Sequence, residues 1–178
     1  MSTNKPQPLA VITGGASGIG LGAVKRFLKE GYEVLSIDAN KEAGDKSIND
    51  LKSDTYKLNF THCDITNHSQ IESIFNALLR EKRPAQVLIN CAGISPALNP
   101  LHEYSVDEWL RTIDINLHGT FYACREFLKL ATAVNIEEGS IVNVASIMGT
   151  RASAAQASYG ASKHLSLIHI SEPTRPNC

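Results

Sequence analysis

A doubly wound α/β fold, with helices on both faces of a parallel sheet in three layers, is predicted by three observations on this 178-residue chain. Short continuous apolar runs alternate with longer segments whose apolar residues recur at helical spacing, the pattern of successive βαβ units. The first apolar run ends in a glycine-rich turn, Thr13-Gly14-Gly15-Ala16-Ser17-Gly18-Ile19-Gly20, which opens a helical pattern. At 19.3 kDa, with 43% hydrophobic residues, the chain fits one domain with a sizeable core.

The elements follow in order. Pro8 to Ile12 is a short apolar run suited to a strand buried on both faces. Ile19, Ala23, Val24 and Phe27 stand at helical spacing, and Gly31 is placed to end that helix as its C′ residue. Glu33 to Asp38 reads as the second strand, Ala39 to Leu51 as a polar helix and Lys57 to Asp64 as the third strand. Ile71, Ile74, Phe75, Leu78 and Leu79 form the apolar stripe of the next helix. Gln86 to Asn90 is the fourth strand, broken by Ala92-Gly93. A long amphipathic helix is predicted from Val106 to Leu130 with an interruption near Gly119, then a fifth strand from Ser140 to Ser146. The crossovers are expected to be right-handed and the strand order to be 3-2-1-4-5.

Composition excludes several classes of function. The net charge of −1 offers no electrostatic case for nucleic acid or an anionic membrane. The apolar run Leu9 to Ile12 is too short for a secretory segment, and no stretch approaches the roughly 20 apolar residues of a membrane span. A cytoplasmic location is the expectation. Cys63, Cys91, Cys124 and Cys178 form no Cys-x-x-Cys pair and have no histidine at zinc-finger spacing, so reduced thiols and no metal are expected.

The glycine-rich turn carries the first chemical signal. Gly14, Gly18 and Gly20 follow a strand and open a helix, where a missing Cβ lets backbone approach a pyrophosphate and helix amides face the anion. Asp38 ends the second strand, 18 positions beyond Gly20, where a carboxylate can accept hydrogen bonds from ribose hydroxyls and would repel a 2′-phosphate. NAD is therefore expected over NADP. The second signal is Tyr159 and Lys163, four apart on one helical face. A free phenol ionises near pH 10, about three units too high for a base at neutral pH. A neighbouring ammonium stabilises the phenolate, which suits Tyr159 to general acid/base work. Ser146, 13 positions before Tyr159, can hydrogen-bond and polarise a substrate oxygen.

These residues, in this order, resemble the short-chain dehydrogenase/reductase family over residues 8 to 164, which implies a Rossmann-like fold. The resemblance implies a catalytic set of Asn116, Ser146, Tyr159 and Lys163. Lys163 would also reach the nicotinamide ribose, and Asn116 would hold a water linking the lysine to solvent. It implies cofactor contacts from Thr13, Gly14, Ser17, Gly18, Ile19 and Gly20 in the turn, then from Asp38, Asp64, Asn90, Ala92 and Gly93, and from Tyr159 and Lys163. Asp64 would contact the adenine and Asn90 would steady the sheet. Cys91 departs from the family's second asparagine, and this change can loosen a side-chain hydrogen bond. Ser17 and Ala39 leave no Arg or Lys where the family meets a 2′-phosphate, in keeping with NAD. The implied reaction moves a hydride between a nicotinamide cofactor and an alcohol or ketone, in a homo-oligomer when full length.

After His164 the family pattern stops. Leu165 to Arg175 resembles the in-frame translation of a transposon-type sequencing-library adapter. The expectation is a domain over residues 1–164, truncated and missing its last strands, with an irregular artefactual tail over 165–178. Strand five would become an exposed apolar edge. Two other readings stand beside the enzyme: a nucleotide-binding protein without turnover, and an inactive fragment.

Overall fold

The computed structural model describes residues 7–169 except 52, 54, 137 and 152; of residues 167–169 it describes the backbone alone. Five parallel strands, β1 (Leu9–Thr13), β2 (Glu33–Asp38), β3 (Leu58–His62), β4 (Ala85–Asn90) and β5 (Ser140–Asn143), lie in the order β3-β2-β1-β4-β5, as the alternating pattern predicts. The connecting helices are α1 (Gly18–Lys29), α2 (Lys41–Asp50), α3 (His68–Arg80), α4 (Val106–Ile113), α5 (Thr120–Ala133) and α6 (Ala157–His169). Asp114–Gly119 forms a π-helical turn between α4 and α5.

The strands bury both faces. Leu9, Val11, Leu35, Ile37 and Leu88 point into one cluster with Ile71, Phe75 and Leu78 of α3 and Ala123, Phe127 and Leu130 of α5. Ile12, Val34 and Ile89 point the other way, against Val24 and Leu28 of α1. This period of two, buried on both sides, is why the strands read as continuous apolar runs.

Several boundaries differ from the sequence reading, each for a local reason. The Asn40 side chain accepts from the Ala43 amide, so α2 begins at Lys41 and not at Ala39. Asp64 turns the chain out of β3 by accepting from the amide and hydroxyl of Thr66. β5 ends at Asn143, not Ser146, because β4 offers no residue beyond Asn90 to pair with; the Val144 amide makes the last bond, to the Asn90 carbonyl. Ile19, expected on the apolar face of α1, is 69% exposed, and Leu28 takes its place in the core. Gly31 ends α1 with a φ of 82°, as expected, and Lys82 and Asn135 adopt the same left-handed conformation after α3 and α5. The helix carrying Tyr159 continues to His169, so residues 165–169 are helical where an irregular tail was expected. The rest of that tail, with Cys178, lies outside the described residues. Val142 on the edge strand β5 is 49% exposed, as the expected apolar edge requires.

One buried charge anchors α5 to α3. Glu126 is 2% exposed and accepts from His68 at 3.1 Å, Lys129 at 3.0 Å and Arg125. Burial alone would raise its carboxyl, but these donors outweigh it and hold the group below the ordinary carboxylate range. A depressed carboxylate contributes stability above its unfolded pKa and loses it as pH falls through the folded value. Glu126→Gln should therefore cost about 1–2 kcal/mol at pH 7, since its partners are only partly shielded from water. The difference from the unsubstituted chain should close in acid unfolding curves below about pH 4.

Candidate active site

The glycine-rich turn is packed too tightly for side chains on its strand side. Gly14 has a φ of 67°, and a Cβ there would stand 2.7 Å from the Ala92 amide nitrogen. A Cβ on Gly20 would overlap the Gly14 carbonyl oxygen, so helix and turn touch only through glycine. Gly18, at φ 51°, instead faces open space. The Ser17 side chain makes no cap bond, and the first turn of α1 holds no acidic residue. The leading amides of α1 thus point outward with the positive end of the helix dipole behind them, an arrangement that suits a bound phosphate.

Asp38 stands beside this turn. Its carboxylate accepts from the Ala16 amide at 3.0 Å and from the Asn40 amide at 2.9 Å. The acid expected to meet a ribose also clamps the turn to the end of β2. An open groove of about 380 Å³ adjoins it, lined by Ala39, Asp64, Thr66, Leu110, Arg111 and Ile115 among others.

Asn90 steadies the sheet. Its amide donates to the Asn143 side chain at 2.8 Å and to the Cys124 sulfur at 3.2 Å, and its oxygen accepts from the Thr13 hydroxyl at 3.4 Å. Thr13 in turn accepts from the Ala92 amide at 3.3 Å. These bonds join β1, β4, β5 and α5 directly below the turn.

The π-helical turn positions Asn116, which is 1% exposed. Its side chain accepts from the Ile94 amide at 2.8 Å, donates to the Ile94 carbonyl at 2.9 Å and donates to Ser162 at 3.1 Å. Ser162 passes the link on by donating to the Tyr159 carbonyl at 2.8 Å. The Asn116 carbonyl accepts from Thr120 at 2.9 Å and Ser166 at 3.3 Å. Asn116 therefore braces α6 against the loop after β4.

Lys163 donates to the Val144 carbonyl at 3.0 Å, and its ammonium lies 5.9 Å from the centroid of the Tyr159 ring. Burial pushes this lysine below its ordinary range, and the charge of nearby Cys91 opposes the shift. Burial likewise raises the Cys91 thiol, opposed by Lys163. Gly93 sits between the two functional side chains: a Cβ there would be 3.2 Å from the Asn116 oxygen and 3.8 Å from the Lys163 nitrogen. Ser146 leaves β5 to cap the 3-10 turn Ile147–Gly149, accepting from the Met148 amide at 3.2 Å. That bond uses an acceptor site and leaves the hydroxyl proton free to donate. α6 packs on this same 3-10 turn.

The structure thus gathers Asn116 and Lys163 around Gly93, with the Tyr159 ring beside Lys163 and Ser146 on the adjoining turn. Gly14, Gly18, Gly20 and Asp38 form a second cluster at the ends of β1 and β2. Asp64 lies farther out, beside the groove. Sequence reasoning missed Ser162 and the Val144 carbonyl. The serine lies inside Tyr-Gly-Ala-Ser-Lys, one turn above Ser158, and its spacing could have placed it on the buried face; a backbone acceptor leaves no trace in side-chain pattern.

Comparison with known proteins agrees with this fold. The short chain dehydrogenase family matches residues 8–171. A 3beta-hydroxysteroid dehydrogenase of Mediterraneibacter gnavus is 34% identical over 89% of this chain and 56% of its own length. Among solved structures, an NAD+-bound xylitol dehydrogenase superposes with a TM-score of 0.82 at 27% identity, over 88% of this chain and 60% of that one. An actinorhodin polyketide ketoreductase with NADPH reaches 0.79 at 31% identity, over 89% and 60%. The chain spans little more than half the length of such relatives. Among the described residues no helix is long and apolar enough to cross a membrane.

Proposed function

The chain belongs to the short chain dehydrogenase family, and from that premise we propose that the whole protein is an NAD-dependent oxidoreductase acting on a small alcohol or ketone. The observation that carries the reading is the Lys163 ammonium, held by the Val144 carbonyl and 5.9 Å from the Tyr159 ring centroid.

The residues present fit a nicotinamide dinucleotide. Gly14 and Gly20 leave room only for backbone, Gly18 opens outward and the first turn of α1 carries uncapped amides for a pyrophosphate. Asp38 would receive the adenosine ribose, and Asp64 with the adjoining groove would receive the adenine. When bound, the nicotinamide supplies or takes up the hydride. Tyr159 gives a proton to the carbonyl oxygen during reduction and removes it from the alcohol during oxidation. Lys163 lowers the cost of the phenolate by placing a positive charge beside it. Ser146, with its proton uncommitted, donates to the substrate oxygen and fixes its direction. Asn116 holds α6 in register through its bond to Ser162, and its side-chain oxygen, which accepts from the Ile94 amide, has a second lone pair for the water that would link Lys163 to solvent.

Asp38 supports NAD over NADP, because a 2′-phosphate would meet a like charge with no basic residue at Ser17 or Ala39. A homo-oligomer is what the family resemblance implies for the full-length protein. Titration of the 178-residue chain with NADH and NADPH, followed by quenching of Trp109 and by calorimetry, tests the cofactor reading. Saturable binding with NADH the tighter ligand is expected. No binding of either nucleotide would refute it.

A further inference from the structure

Ser36, in the middle of β2, is fully buried at 0% exposure. Among the described residues its hydroxyl has no hydrogen-bond partner. Its neighbours on that side of the sheet, Ile12, Val34 and Ile89, are all apolar. A hydroxyl there forfeits its hydration without return, so packing alone would favour alanine.

The hydroxyl is aimed at the cofactor turn. A Cβ on Gly15 would overlap the Ser36 Oγ and stand 3.2 Å from the Ser36 Cβ. Gly15 does not need glycine for its backbone, since its φ is not positive; it needs glycine because a Cβ would meet the Ser36 side chain and stand 3.3 Å from the Ile12 carbonyl. β2 meets the turn residue by residue. The Gly14 and Gly15 amides both donate to the Ile37 carbonyl, at 2.8 Å and a longer 3.3 Å, and the Ala16 amide donates to Asp38 at 3.0 Å. Ser36 makes the remaining contact in that series and is the one without a bond. The turn leads into α1, a 12-residue helix whose leading amides are uncapped.

We propose that Ser36 is a positioning residue for the pyrophosphate-binding turn. In the free protein its hydroxyl is unpaired. When a dinucleotide occupies the turn, the Gly15 amide, which donates to the Ile37 carbonyl at 3.3 Å, shares its proton with the hydroxyl, which accepts from it. The inference rests on the cofactor reading above. Stability of the free chain and affinity for the nucleotide are then set against each other at this position.

That opposition is the test. Ser36→Ala should raise the melting temperature of the free chain by about 2–8 °C, by removing an unpaired buried hydroxyl. It should also weaken NADH binding about tenfold, the scale of one lost hydrogen bond. A purely structural serine would not move the two in opposite directions. Gly15→Ala should lower the melting temperature, and Gly15→Ala with Ser36→Ala should recover part of that loss, because the overlap is with the hydroxyl. A Ser36→Ala chain that binds NADH as tightly as the unsubstituted one overturns the proposal while leaving the cofactor reading intact. A lower melting temperature for Ser36→Ala does so too, since it means the hydroxyl is already paired. Failure of the unsubstituted chain to bind NADH overturns both.

Discussion

Tyr159→Phe is expected to lower turnover of the protein, at the length of its relatives, by about two to four powers of ten, the scale of a lost general acid–base group. NADH affinity should change by less than about threefold, because the phenyl ring keeps the packing and only the hydroxyl is deleted. The neighbouring lysine gives a companion result that separates catalysis from folding. Lys163→Met keeps an unbranched side chain, one atom shorter, and removes the ammonium that stabilises the phenolate, so turnover should fall to a similar extent. Its effect on stability has the opposite sign to that of an ordinary core substitution. Burial depresses the Lys163 ammonium, and a depressed lysine contributes stability above its unfolded pKa and loses it as pH falls through the folded value. At pH 7 the buried charge is therefore a cost, offset by its bond to Val144. The methionine variant should melt at or above the temperature of the unsubstituted chain. Near-normal turnover in Tyr159→Phe would overturn the mechanism, and a large fall in melting temperature for Lys163→Met would show that the lysine holds the fold.

The sheet was legible because its signal is local. β1 and β2 are buried on both faces, so they appear as continuous apolar runs, and the intervening helices carry one apolar stripe each. The order of strands is that of the doubly wound fold as a whole and is not written in any one segment. What failed were the places where a tertiary contact overrides the local pattern. Ser146 continues the apparent strand Ser140 to Val144, yet β4 has ended and the residue turns to cap Met148. The interruption near Gly119 is real, but it is a π-helical turn over Asp114–Gly119 stabilised by long-range bonds from Asn116 to Ile94 and Ser162. No spacing rule within the helix foretells it. Ile19 fits the helical period and is nonetheless exposed, in the first turn of α1 directly after the glycine-rich turn. Asp38 was readable as a strand-end carboxylate, whereas its grip on the Ala16 amide was not.

That grip shapes the second large expected effect. Asp38→Asn should reduce the preference for NADH over NADPH by about 10- to 100-fold, the range of one charge-assisted hydrogen bond together with relief of like-charge repulsion. Asparagine retains one oxygen that can still accept from Ala16 or Asn40, so the turn should persist. Asp38→Ala removes both acceptors, leaving the Ala16 and Asn40 amides without their present partner. It should therefore lower affinity for both nucleotides, on top of narrowing the gap between them. The two variants distinguish a direct role from an indirect one. If the carboxylate acts only as a clamp on the turn, Asn and Ala would weaken NADH and NADPH in equal proportion and the ratio of the two dissociation constants would not move. If it reads the ribose, that ratio falls in both variants, while absolute NADPH affinity rises or holds in Asn and drops in Ala. Tighter binding of NADPH than NADH by the unsubstituted chain would refute the assignment of Asp38 as the discriminating residue.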